Sequence, residues 1–233
     1  MKAGLFWPGV VILCVAVSEG FVSRIRRLSE PPDRACRTAQ AECSDEFLSP
    51  YTLPYLQDVQ QFMANRTLLE KASSDMEAAA GCYEDAVAEL GCDFLQEDIL
   101  VVDFYAGYFS TPGVVDNLIE ASASGCFTSE SKAQEMAAAF VSCDQALEAS
   151  DRRGEDQCSS FMQLWACWEQ GAATHCGQPV ADMITKFKQY ALTTSTAPGF
   201  LQYLTDHTGL NVSHCGDEVI LTRRFVKRIP FPP

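Results

Sequence analysis

Apolar residues recur at helical spacing through much of the chain. In Ser131–Ala149, Ala133, Met136, Ala137, Phe140, Cys143 and Leu147 fall on one face, with Ser129-Glu130-Ser131 ahead as a cap and the polar run Glu148–Gly154 behind. In Leu53–Leu69 the corresponding face is Leu56, Val59, Gln60, Met63 and Leu68. In Gln157–Glu169 it is Phe161, Leu164, Trp165 and Trp168, and in Val180–Leu192 it is Met183, Ile184, Phe187 and Leu192. Pro198–Leu204 opens with a proline, which suits a first helical turn. Asp75–Leu90 and Ser131–Ala149 are rich in alanine and other strong helix formers. Only Asp98–Ser110 and Glu218–Arg224 hold β-favouring runs, and Ile99–Val102, lying between helical neighbours, reads as buried helix. The pattern predicts an all-α bundle of roughly seven or eight helices.

Cysteine usage adds a compartment to that picture. The chain has 11 cysteines. Cys14 lies in the apolar start; the others are Cys36, Cys43, Cys82, Cys92, Cys126, Cys143, Cys158, Cys167, Cys176 and Cys215. An even set behind a secretion signal reads as a disulfide framework, because the secretory pathway oxidises thiols. Gaps of seven to ten residues (36/43, 82/92, 158/167, 167/176) separate cysteines by two to three helical turns, so each pair would staple its helix to neighbours rather than to itself. The connectivity stays open at this point. His175-Cys176-Gly177 recurs as His214-Cys215-Gly216, and Cys43 to Cys82 spans as many residues as Cys176 to Cys215. A duplicated helical module, with halves 35–125 and 126–221, would account for these echoes.

The two ends differ from the body. Met1–Ser18 has Lys2 followed by an apolar run from Leu5 to Val17, too short for a transmembrane helix and built like a signal peptide, with cleavage expected after Ser18. Arg24-Ile25-Arg26-Arg27 has the form cut by secretory convertases, so residues 19–27 read as a propeptide released at Arg27. The mature domain would then span 28–221. Residues 222–233, with Arg223-Arg224, Lys227-Arg228 and the closing prolines, read as a basic tail lacking a periodic apolar face. Residues 28–221 hold nine basic and 30 acidic side chains, a net charge of −21. Such a body repels nucleic acid and anionic membranes, and nothing after the leader is long and apolar enough to span a bilayer.

Candidate chemistry is sparse. The two His-Cys dipeptides carry zinc-ligand residue types, but oxidised cysteines and the absence of C-x-x-C and H-x-x-x-H spacings argue for a structural role. Gly177 and Gly216 would end helices, and a histidine in the last turn would face the negative end of the helix dipole. Asp206-His207 invites an acid–base reading, yet sequence neighbours rarely face each other, and no hydrolase signature accompanies them. No catalytic residue, metal ligand or cofactor is therefore assigned. Phe161, Trp165 and Trp168, with Phe104, Tyr105, Tyr108 and Phe109, form two aromatic clusters that could line a pocket for a small hydrophobic ligand, although such stripes are more often core. Asn65-Arg66-Thr67 and Asn211-Val212-Ser213 are N-glycosylation acceptors.

In Cys158-Ser159-Ser160-Phe161 and Leu204-Thr205-Asp206-His207, and in its leader, sequons and cysteine number, the chain resembles the stanniocalcins, helical secreted glycoprotein hormones. Its cysteine spacing departs from theirs through most of the length, so no residue role is carried over. The expectation is a secreted, non-catalytic glycoprotein that binds an extracellular or cell-surface protein as a signalling molecule or effector. The alternatives are a carrier with a ligand in a helical cavity and a secreted hydrolase of unfamiliar design.

Overall fold

The computed structural model describes residues 34–51, 56–153, 156–195 and 197–208, together with Val212 and Cys215. The leader, the Ser18 and Arg27 processing points, Asn211 and the tail lie outside these residues. Among the described residues there is no strand, and nine α-helices build an all-α bundle. They are α1 (Arg34–Cys43), α2 (Leu56–Ala64), α3 (Arg66–Leu90), α4 (Gln96–Ser110), α5 (Val114–Ala123), α6 (Glu130–Arg152), α7 (Gln157–Cys176), α8 (Gln178–Thr193) and α9 (Ala197–Thr208).

The count exceeds the expected seven or eight for local reasons. The apolar stripe of Leu53–Leu69 does not continue as one helix. Asn65 leaves helical geometry at φ −95°, ψ 90°, and its side chain accepts a hydrogen bond from the Leu68 amide, so it ends α2 and caps α3. α3 then runs for 25 residues. Ile99–Val102 lies inside helix α4, as its helical neighbours suggested. Ser129 starts α6 as a weak cap, its hydroxyl accepting from the Lys132 amide at 3.5 Å, while Asp156 caps α7 through the Ser159 amide at 2.6 Å. Gly177, at φ 89°, takes the chain from α7 into α8, where a side chain would be strained.

All ten cysteines downstream of Cys14 are paired. Cys36–Cys92 and Cys43–Cys82 lay α1 antiparallel along the second half of α3. Cys126–Cys176 and Cys143–Cys167 do the same for α6 and α7, and Cys158–Cys215 ties the start of α7 to the segment beyond α9. Cys158, Cys167 and Cys176, all on α7, reach the segment beyond α9, α6 and the turn just before α6, so α7 is stapled to its neighbours and not to itself. With 24 to 57 residues between partners, each bridge contributes about 3–4 kcal/mol in the chain-entropy account. The equal Cys43/Cys82 and Cys176/Cys215 spacings have no common basis in pairing, since the first two are bonded to each other and the second two are not.

No bridge crosses from residues 35–125 to 126–221, but the core does. α5 and α9 pack on α8, and α4 packs on α3, α5 and α9, so the buried side chains of both segments form one cluster. α4 comes close to α8: a β-carbon at Gly107 would lie 2.1 Å from the Tyr190 hydroxyl. Gly81, inside α3, meets nothing within 4 Å. Gly81→Ala is expected to stabilise the protein by about 0.5–1 kcal/mol through helix propensity alone. Gly107→Ala should destabilise it, and Tyr190→Phe should remove much of that penalty. Thermal or denaturant unfolding of the single and double variants checks all three.

Candidate functional site

The expected aromatic residues converge in one place. Phe104 stacks on Phe200 with centroids 3.8 Å apart and meets Phe187 and Tyr190 edge to face. Phe187 contacts Tyr105, Tyr108 and Trp165. Trp165 in turn meets Phe161 and Trp168, and Trp168 meets Phe140. Phe109 leads away through Phe62 to Tyr51. The two clusters of the sequence are thus one network, joined by Phe187 of α8, a residue assigned only to an apolar stripe. Phe161, Trp165 and Trp168 are at most 5% exposed, and they are filled by one another's rings rather than turned toward solvent. Tyr108 Oη, Trp165 Nε1 and Trp168 Nε1 are buried there without a hydrogen-bond partner, and burial raises the Tyr108 hydroxyl well above the usual tyrosine range.

Two polar arrangements escaped the sequence reading. Tyr51 donates to Asp75 Oδ2 at 2.6 Å inside the protein, and Lys71, one helical turn before Asp75, pairs with Oδ1. Burial first, then the hydrogen bond and charge of Asp75, raise the Tyr51 hydroxyl, so it stays a donor. The Lys71/Asp75 spacing was visible in sequence; the partner Tyr51 lies 24 residues away. The second arrangement is Asp144 on α6, at the edge of the apolar stripe that holds Phe140 and Cys143. Burial, with a smaller push from Glu148, raises its carboxyl to about 6. The Trp168 indole favours the carboxylate without closing a well-formed hydrogen bond, for Asp144 Oδ1 and Trp168 Nε1 are both buried and unpartnered.

The surface is where charge collects. Glu77 and Glu84 on α3 and Asp103 on α4 are exposed. Partial burial, then Glu84 and Glu77, raise the Asp103 carboxyl above its usual range. None of the three meets a cation among the described residues. Elsewhere cations are engaged: Arg66 with Asp116 at 2.7 Å, Lys188 with Glu169 at 2.5 Å, and Lys186 with the Gly113 carbonyl at 2.9 Å. His175, in the last turn of α7 as expected, sits 3.3 Å from Glu135. Among the described residues no three histidine, cysteine or acidic side chains converge as a metal site would need. Asp206 and His207 fall within α9, with side chains outside the described set, as is His214. Among the described residues Leu90 and Val141 are the exposed large apolar residues, and they lie on different helices. No helix of the described residues is long and apolar enough to cross a membrane.

The chain matches no family model, and no curated protein or solved structure is significantly similar to it. The stanniocalcin-like segments at 158–161 and 204–207 therefore stand without a family match.

Two variants probe the polar pairs. Tyr51→Phe leaves Asp75 Oδ2 buried without its donor and is expected to cost about 1–3 kcal/mol. Burial raises the Asp144 carboxyl from its ordinary value of 3.8, which holds in the unfolded chain, to about 6 in the folded protein, so the folded state binds more protons between those values. Its contribution therefore favours folding in acid and is lost as pH rises through 6. Asp144→Asn should raise stability at pH 7.5 by about 1 kcal/mol, discounted for a half-exposed group, and the gain should vanish by pH 4. Unfolding curves of wild type and variant across that range check the sign.

Proposed function

We propose that this chain is a secreted, non-catalytic protein that acts by binding an extracellular or cell-surface protein. The observation carrying this reading is the consumption of all ten cysteines of the body in five bridges, an investment that suits an oxidising compartment. Two further features support binding at a surface. The body carries a net charge of −21, and unpaired carboxylates Glu77, Glu84 and Asp103 share an exposed face of α3 and α4. A field of one sign steers association with a partner of the opposite sign, which favours a basic partner surface. The aromatic side chains that a carrier would turn toward its cargo are packed against each other.

The carrier reading keeps one supporting observation, the unpartnered Tyr108, Trp165 and Trp168 polar atoms within that network. Both readings meet one experiment. The labelled full chain, recovered from the medium of a eukaryotic secretory host, is expected to bind cell surfaces saturably, with affinity falling as salt rises. Solvent extraction of the native protein is expected to release no stoichiometric apolar molecule. A stoichiometric lipid together with no saturable sites would replace the binding protein with the carrier, and failure to reach the medium would remove both.

A further inference from the structure

Asn65 performs one structural task with one of its two side-chain polar atoms. Oδ1 accepts from the Leu68 amide at 3.1 Å and caps α3. Nδ2 has no hydrogen bond among the described residues. Asn65, Arg66 and Thr67 are all exposed, and Arg66 is directed along the surface to Glu70 and Asp116. N-glycosylation consumes only the nitrogen: Nδ2 loses a proton and attacks the anomeric carbon of a lipid-pyrophosphate-linked oligosaccharide, the C1–O bond breaks, and the lipid pyrophosphate leaves. The acceptor oxygen of the side chain is untouched, and capping needs nothing more.

We propose that Asn65 carries an N-linked glycan while its Oδ1 still caps α3, so one side chain holds the helix start and anchors the sugar. This rests on the export reading above, because the oligosaccharide donor and its transferase belong to the secretory lumen. The sequon lies inside the loops closed by Cys36–Cys92 and Cys43–Cys82. Bridge formation does not remove it from solvent, since in the finished fold Asn65 projects at the junction of α2 and α3. A glycan there covers the end of α3 away from its bridges.

The test uses the full chain secreted from eukaryotic cells, with peptide mass spectrometry before and after an amide-cleaving glycosidase that converts each glycosylated asparagine to aspartate. The expected result is an Asn65 peptide found as aspartate only after enzyme treatment, and never in Thr67→Ala. Once deglycosylated, wild type (then carrying an aspartate cap), Thr67→Ala and Asn65→Asp should melt together, and Asn65→Ala should melt lower. Protein in the medium with Asn65 unmodified overturns the glycan and leaves export standing. A chain held in the cytosol with both sequons unmodified overturns both. A glycosylated Asn65 whose alanine and aspartate variants melt alike overturns the shared role of the side chain.

Discussion

Two helices joined at one point can still hinge and slide; joined at two points, they cannot. α1 is joined to α3 at Cys43–Cys82 and to the turn just past its end at Cys36–Cys92, and α7 is joined to α6 at Cys143–Cys167 and to the turn just before it at Cys126–Cys176. Each pair is thereby locked in antiparallel register. The rest of the molecule depends on that constraint. α4 folds back on a braced α3, with Ser73 donating to the Ala106 carbonyl at 2.9 Å across the pair. α8 folds back on a braced α7, and the two hairpins present their aromatic faces to one another.

The covalent and non-covalent parts of the fold divide the work along the chain. Bridges act only within residues 35–125 or within 126–215, and rings act between these segments. Phe104 of α4 reaches Phe187 and Tyr190 of α8 and Phe200 of α9, so the union of the segments is hydrophobic and aromatic. The close approach at Gly107, with Tyr190 lying over it, lets α4 and α8 come near enough for those rings to meet. A larger residue at that position would separate the very layer that has no disulfide to hold it.

Much of this was legible in sequence, and the reason lies in range. The stripe of α6, the aromatic face of α7 and the cap at Ser129 are properties of residues close together in the chain, and the pattern alone predicts them. The helix break at Asn65 was equally local, but its side chain counted as a sequon rather than a cap, so one stripe was drawn across two helices. What stayed hidden depends on partners far apart. Tyr51 and Asp75 meet across 24 residues, Asp144 acquires its environment from Trp168, and the cysteine pairing was one of many that ten cysteines allow. The aromatic residues named as a pocket were correctly grouped by chemistry; that their rings fill each other is a property of packing that composition does not carry.

The acidic surface and the bridges are linked energetically. A body at −21 repels itself, and at Asp103 the charges of Glu84 and Glu77 add to the larger effect of partial burial in raising the carboxyl. Self-repulsion favours an expanded chain. A disulfide, in the entropic account, acts on that expanded chain by limiting how far it can spread. Five bridges at about 3–4 kcal/mol each offset a surface that a similar bundle held by packing alone would tolerate less well. A net charge of that size keeps the molecule soluble and apart from its own copies, and the bridges hold the fold against the repulsion it brings.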